Sequence, residues 1–535
     1  MSESAPTPTD QGNVCTTPIR FWRAGRIQVI THPAPNQTLL EYLRSAEALN
    51  ARGTKEGCAE GDCGACTVVI AELEDESRPL RFRAINSCIR FAHQIDGCAL
   101  WTVEDLSASP TQAALHPVQQ AMLEAHGSQC GFCTPGFVMS LFALYQGSST
   151  QLVDRQGAVA ALSGNLCRCT GYRPILDAAQ AMMRLPRVEQ PEEDIKTALL
   201  ELAQKRALSS NTSSQRIFRP ANLQALLQQR RANPDAQLLA GATDVGLWVT
   251  KQGLRFEQVI DISSVKDLKN VVIVRGHLEI GAAVRLEDAY RAIVYNRPQA
   301  RVFARRFAGL PVRQSGTLGG NLANGSPIGD SMPLLISLGA KIRLASQARG
   351  LREMALEDFY LAYRSTQLAS DEVLSHVLIP LAMAGELSRV YKVSKRFEDD
   401  ISAVCLGINV RSNGVGEVIE SVRIGVGGMA ATPTRAYKTE AALIGREFTL
   451  ETFQAAKECL SAEFAPIDDM RASALYRRQV AGNLMLRFWH EIQSPDELNS
   501  LESFDAAPIK LHRPKGSKDS TNLREADGKE QRGKP

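Results

Sequence analysis

Nine of the twelve cysteines in this chain fall between residues 58 and 169, eight of them in two groups of different spacing, and no other feature restricts the fold so tightly. The stretch EGCAEGDCGACTV gives Cys58, four residues, Cys63, two residues and Cys66, and NSC returns Cys88 after twenty-one more. The first three thiols have the plant-type ferredoxin spacing. A binuclear iron–sulfur cluster needs four thiolates around a charged inorganic core, and the small residues Gly57, Gly61 and Gly64 let the backbone wrap closely with its amides toward sulfur. A zinc site is the alternative, but tetrahedral zinc draws on paired C-x2-C knuckles rather than a C-x4-C-x2-C loop. The second group is Cys130 and Cys133 in QCGFCTPG, then Cys167 and Cys169 in GNLCRCTGYRP, thirty-three residues on. Taken alone, that pattern suits zinc as well as a cluster. Pro135 and Gly136 can open one helix, and Thr170, Gly171 and Pro174 another. Both thiol pairs are then expected at helix N-termini, where peptide dipoles favour anionic sulfur.

The rest of the composition narrows the class. A chain of 535 residues is long enough for three or four domains of ordinary size. It is 44% apolar and 22% charged, with no run of about eighteen uncharged apolar residues to cross a bilayer. The N-terminal MSESAPTPTDQGNV lacks a basic and apolar leader, so the expected location is cytoplasmic, without a membrane partner. The net charge of +3 is concentrated at the C-terminus, where residues 506–535 hold eight Lys or Arg against four Asp or Glu, leaving the body near −1. No basic stripe remains to favour nucleic acid. Cys15, Cys98, Cys405 and Cys459 lie outside both groups: Cys15 is expected in a flexible tail, the others as small apolar residues.

Periodicity divides the chain. Residues 20–32 alternate around Ala-Gly as a hairpin and 38–47 have helical spacing, so a strand pair, a helix and the first cysteine loop follow in order. From Val103 the patterns turn helical. Residues 186–215 are polar around a short helix and read as a linker over the surface. From Ile217 the runs AQLLAG, QVIDIS, VVIVRGHLEIGA and KIRLAS give an α/β texture. Beyond about 385 come strands YKVSK, ISAVCLGINV and SVRIGVGG and two helices, an α+β unit. The charged segment after Ser500 is expected to be disordered. QLLAGATDVGLWV reads as strand, glycine turn and helix, leaving the amides of Gly241, Ala242, Thr243 and Asp244 free for a diphosphate, and SGTLGGNLANGSPIGD is small and polar as a ligand loop is. Neither is the G-x-G-x-x-G of a Rossmann unit.

At this point EGCAEGDCGACT, QCGFCTPGF and GNLCRCTGYRPI together resemble the iron–sulfur modules of the molybdenum hydroxylases. LLAGATDVG, FAGLPVRQSGTLGGNLANGSPIGD and YKVSKRFEDDISAV resemble, in the same order, the FAD domain of the xanthine dehydrogenases, and SVRIGVGGMAATPTRA the start of their C-terminal flavoprotein domain. The resemblance spans roughly residues 18–495. It implies a multidomain α+β chain: a plant-type ferredoxin β-grasp over 18–103, a four-helix cluster module over 104–188, a linker over 189–215, an α/β FAD-binding domain over 216–385, an α+β flavoprotein C-terminal domain over 386–495 and a polar tail over 496–535. It implies one 2Fe–2S cluster on Cys58, Cys63, Cys66 and Cys88 and a second on Cys130, Cys133, Cys167 and Cys169. For FAD it implies Leu238, Leu239, Ala240, Gly241, Ala242, Thr243, Asp244 and Val245 at the diphosphate and Phe307 near the isoalloxazine. Thr317, Gly320, Asn321, Ser326 and Asp330 would hold adenine-side or ribityl groups, and Leu374 and Lys392 would complete the pocket. Tyr363 and Asp399 match positions near a nicotinamide site. Gly241-Ala242 departs from the Gly-Asn often found in the first loop of that family, at a position where the resemblance implies a flavin hydrogen bond. The implied activity is electron transfer to NAD from a molybdopterin centre that this sequence lacks. A molybdopterin-binding large subunit is therefore the expected partner, in a heterotetramer. The corresponding subunit of an aldehyde or N-heterocycle hydroxylase, and an iron–sulfur redox sensor without turnover, stay open as alternatives.

Overall fold

The computed structural model describes residues 18–74, 76–106, 115–148, 153–207, 216–397 and 399–494. The expected flexible segment around Cys15, the end of the expected linker and the expected disordered tail lie outside the described residues. Strands β1 (Ile19–Arg23) and β2 (Arg26–Ile30) form the hairpin read from the sequence, register Arg23 to Arg26. Helix α1 (Leu39–Arg44) follows, opened by a capping box in which Thr38 and Glu41 satisfy each other's amides. β3 (Thr67–Glu72), β4 (Arg81–Asn86) and β5 (Ala99–Trp101) complete a five-stranded sheet in the order β2-β1-β5-β3-β4, with β1 and β5 parallel. The first cysteine loop sits between α1 and β3, and Cys88 just after β4.

The second module is helical: α2 (Pro117–Glu124), α3 (Thr134–Gly147), α4 (Arg155–Leu162) and α5 (Arg173–Ala181). The segment read as a linker behaves differently from the expectation of a surface run. It contains a 16-residue helix, α6 (Glu192–Ala207), whose Ile195, Leu199 and Leu202 are buried in the core shared by the two cysteine-bearing modules. Those positions are spaced by four and three, so they form one apolar stripe on an otherwise charged helix. Trp101 Nε1 donates to Gln190 Oε1 at 3.0 Å, and Gln146 and Arg187 bind backbone oxygens across the same seam, so polar sequence there is pinned by hydrogen bonds.

The half expected to hold FAD begins with β6 (Ile217–Phe218), α7 (Leu223–Ala232), β7 (Gln237–Leu239), α8 (Val245–Thr250) and β8 (Val259–Asp261), a small parallel sheet of order β6-β8-β7. β9 (Val271–Val274) and β10 (His277–Gly281) precede four helices, α9 (Leu286–Asn296), α10 (Arg301–Arg305), α11 (Leu310–Ser315) and α12 (Leu318–Asn324), and then α13 (Ser331–Ser337). β11 (Lys341–Ser346), β12 (Gly350–Ala355), the hairpin β13 (Tyr360–Ala362) with β14 (Ser365–Thr366), and β15 (Glu372–Pro380) follow, and the larger sheet runs β12-β11-β15-β10-β9. The last unit is an antiparallel sheet, β16 (Glu386–Val393), β17 (Val404–Arg411), β18 (Ser421–Gly427) and β19 (Thr434–Arg435). It is packed by α14 (Tyr437–Leu443), α15 (Leu450–Glu463) and α16 (Ala474–Gln493) around Phe448, Phe453 and Phe488, each fully buried. Among the described residues no helix is long and apolar enough to cross a membrane.

Candidate cofactor sites

The two thiol quartets are each drawn together. Cys66 Sγ lies 3.2 Å from Cys88 Sγ, and Cys58 meets both Cys63 and Cys88. Those thiol contacts, with the amides of Cys63 and Glu60 directed at its sulfur, hold the Cys58 thiol well below its ordinary range. The loop has no room for side chains inside it: a Cβ on Gly57 would stand 2.9 Å from Cys63 Sγ. In the helical module Cys133 meets Cys167 and Cys130 meets Cys169. Burial works to raise the Cys167 thiol, but the Thr170 hydroxyl (3.2 Å) and amide (3.5 Å) bring it below its usual value. Cys133 is the N-cap of α3, and Tyr172, before α5, takes the Cys167 amide at 3.1 Å. Thiols in quartets, small residues and amides aimed at sulfur suit 2Fe–2S groups, which bring one-electron chemistry when bound. The quartets differ in exposure: Cys66 and Cys88 are buried, whereas Cys130 and Cys169 are exposed beside Phe132 and Tyr172.

The modules touch through backbone. Leu166 N–H donates to Cys63 carbonyl at 3.0 Å, and Leu166 precedes Cys167, so one hydrogen bond joins the ligand segments of the two quartets. Gly64 makes this approach possible. Its φ of +70° is left-handed, and a Cβ would stand 2.2 Å from Gly164 oxygen. On its other side the first quartet leans on the flavin half. Leu247 packs on Cys66, Cys88 and Ile89, Thr250 Oγ1 donates to Ala59 carbonyl at 2.7 Å, and Lys251 Nζ donates to Cys58 carbonyl.

The expected FAD residues converge in part. β7 delivers Leu238 and Leu239 to the loop 240–244, and α8 starts at Val245. That loop meets the segment before α12, since a Cβ on Gly316 would lie 3.2 Å from Thr243 Oγ1 and one on Gly320 3.9 Å from Ala240 Cβ. Thr317 caps α12, accepting from Gly320 N–H at 3.1 Å. Asn321 Oδ1 and Asp330 Oδ1 are buried without a hydrogen-bond partner among the described residues, and burial raises the Asp244 carboxyl above its usual range. Orphaned polar atoms around two closely approaching loops fit a polar cofactor. Ala242 sits at φ +64°, the region Gly and Asn enter most easily, which gives a backbone reason for the residues its position usually carries. Lys392 Nζ pairs with Asp330 Oδ2 at 2.9 Å with both side chains buried. Phe307 and Leu374 belong to one apolar cluster, and the Ser326 hydroxyl accepts from Ile328 N–H at 3.4 Å. Tyr363 is 64% exposed on the β13–β14 hairpin. Asp399 lies on the loop after β16 near Gly309, its carboxyl raised to about 6 by burial and then by Asp62; no hydrogen bond joins it to Tyr363 among the described residues.

Two neighbours carried no sequence signal of their own. Arg306 donates to the carbonyls of Lys392 (2.9 Å) and Phe397 (2.8 Å), so it ties the Asp399 loop to α10. Tyr290 stacks obliquely on Phe307, centroids 5.1 Å apart, and its hydroxyl meets Ser331 Oγ at 2.8 Å.

Four family descriptions match in succession: a 2Fe–2S iron–sulfur cluster binding domain over 24–93, a 2Fe–2S binding domain over 102–180, the FAD binding domain in molybdopterin dehydrogenase over 211–382, and the CO dehydrogenase flavoprotein C-terminal domain over 389–492. A xanthine dehydrogenase of Emericella nidulans is 32% identical over 94% of this chain and 41% of its own length. One of Drosophila subobscura is 31% identical over 92% of this chain and 41% of its own length. A solved carbon monoxide dehydrogenase of Hydrogenophaga pseudoflava is 27% identical, with a TM-score of 0.49, over 52% of this chain and 96% of that one. The chain thus spans 41% of the length of the two xanthine dehydrogenases.

Proposed function

The chain belongs to the molybdenum hydroxylase family, whose iron–sulfur and flavin domains it carries, and from that premise we propose that it is the electron-transfer part of a xanthine dehydrogenase. In this reading electrons leave a purine at a molybdopterin centre on a partner subunit, reach the Cys130/Cys133/Cys167/Cys169 cluster, pass to the Cys58/Cys63/Cys66/Cys88 cluster, and leave through FAD to NAD. Clusters take one electron each and NAD takes two as a hydride, so the bound flavin supplies the conversion between them.

The observation that carries the reading is the order of contacts: a quartet with two exposed thiols, one hydrogen bond from Leu166 to Cys63, then the Thr250 and Lys251 contacts from the segment behind the 240–244 loop. The exposed thiols Cys130 and Cys169 offer the partner its point of approach. In the flavin half, the amides of the 240–244 loop would hold the diphosphate. Phe307 and Leu374 would exclude water from the ring system, and Lys392, neutralised by Asp330, would place a donor in the pocket. Tyr363 and Asp399 would bound the nicotinamide site. The assembly expected is a heterotetramer in the cytoplasm.

The copurified complex tests this. Bleaching of its cluster and flavin absorbance by xanthine, with reoxidation by NAD, supports it; bleaching by an aldehyde or another heterocycle alone would move the chain to a related hydroxylase. Zinc in place of iron and flavin would leave only a structural or sensing role.

A further inference from the structure

The flavin diphosphate loop is braced by a residue of the ferredoxin module. Gln94 lies in the 3-10 turn Ala92–Ile95 after Cys88, and it is 4% exposed. Its Oε1 accepts from Phe91 N–H at 3.3 Å and its Nε2 donates to Ala240 carbonyl at 2.8 Å. Because the oxygen end is committed to an N–H, the amide can stand only one way round, with its donor toward Ala240. The whole segment is seated on the flavin half. Phe91 is fully buried among Leu239, Ala242, Val245 and Val249; a Cβ on Gly246 would stand 2.2 Å from Ile89 oxygen; Asp96 pairs with Arg219 at 2.8 Å; and His93 lies 3.8 Å from Asp261.

The Ala240 carbonyl and the Gly241 N–H belong to one trans planar peptide, so they point in opposite directions. Fixing the oxygen toward the ferredoxin module turns the Gly241 N–H away from it. We infer that Gln94 is a positioning residue for FAD: it never touches the cofactor, but by holding the Ala240 carbonyl it sets the peptide plane that opens the diphosphate loop. This deepens the proposed function and rests on its assignment of residues 238–245 to FAD. The cluster module is then part of the flavin site, and FAD affinity depends on how the two modules dock.

The experiment uses the full chain, depleted of FAD and titrated with FAD by fluorescence, with the visible and EPR signature of the first cluster recorded on each sample. Gln94→Met fills nearly the same space without a donor, and Gln94→Glu keeps the acceptor for Phe91 while setting a carboxylate against the Ala240 carbonyl. An unpaired buried acceptor predicts FAD affinity weakened about 5- to 100-fold by Gln94→Met, and further by Gln94→Glu, with the cluster signature unchanged. Wild-type affinity in Gln94→Met overturns the inference, as does a loss of affinity accompanied by loss of the cluster signature, which would make Gln94 a docking residue only. Failure of the parent chain to bind FAD would instead refute the assignment of the loop.

Discussion

Gly241→Ala should separate the two loops proposed to hold FAD. An added Cβ would stand 2.1 Å from the Ser315 oxygen, 2.6 Å from Gly316 Cα and 2.7 Å from the Ser315 carbonyl carbon. All three obstacles are backbone, so no side chain can swing aside. Ordinary contact begins at 3.4 Å, and the loops must part by roughly 1.3 Å, enough to forfeit most of the dispersion attraction across the seam. Overpacking of a filled interior costs about 1–3 kcal/mol, and the rigidity of both partners places this case toward the top of that range. On the proposed assignment of these loops to FAD, the same energy appears as affinity, roughly 10- to 100-fold weaker at about 1.4 kcal/mol per decade. The assay is fluorescence titration of the flavin-depleted chain, beside thermal unfolding. Gly147→Ala is the control, because its Cβ meets nothing within 4 Å and its backbone is not left-handed. Unchanged FAD affinity and unfolding temperature in Gly241→Ala would refute the close approach on which the cradle depends.

Gly136→Ala would place a Cβ 2.1 Å from Gly64 oxygen and so push the two iron–sulfur modules apart; magnetic coupling between the reduced clusters in EPR should diminish while both signals persist. Arg285→Ala removes the cation that faces Glu72 and Glu74 between the ferredoxin and flavin halves; leaving the half-buried Glu72 with the longer Arg90 contact at 4.0 Å should cost about 1–3 kcal/mol in urea unfolding, and Glu72→Gln in the same chain should return part of it. Asp399 has a carboxyl raised from 3.8 to about 6 by burial and then by Asp62. The folded chain therefore binds its proton more tightly than the unfolded one, and this group's favourable contribution, complete below about pH 4, is lost as pH rises through 6. Asp399→Asn, which tolerates the φ of 47°, should be more stable than the parent at pH 7 by at most about 3 kcal/mol, and the difference should vanish below about pH 4 in unfolding measured across that range.

What could be read from sequence was whatever is local. Cys58, Cys63 and Cys66 are bound to one loop by their spacing, and Thr38 with Glu41 or Pro135 after Cys133 mark helix starts within a few residues. The strand–turn–helix around Gly241 was visible for the same reason. The docking of the modules was not, because its pairs are remote in the chain: Gln94 with Ala240, Leu166 with Cys63, Glu72 with Arg285. Nothing in the residues around Gln94 marks it as different from a surface glutamine; only the fold brings Ala240 to it. The helix α6 shows a second limit. Its polar composition suggested solvent, but three apolar residues on one face are enough to bury it, and a surface linker became part of the iron–sulfur core.

The most direct test of the account is EPR of the dithionite-reduced full chain, with its iron and flavin content, for the parent, Cys63→Ser and Cys130→Ser. About four irons and one FAD per parent chain and two distinct 2Fe–2S signals are expected. Each substitution should remove a different signal and leave the other signal and the flavin in place. A single signal, zinc instead of iron, or loss of both signals from either substitution would contradict it.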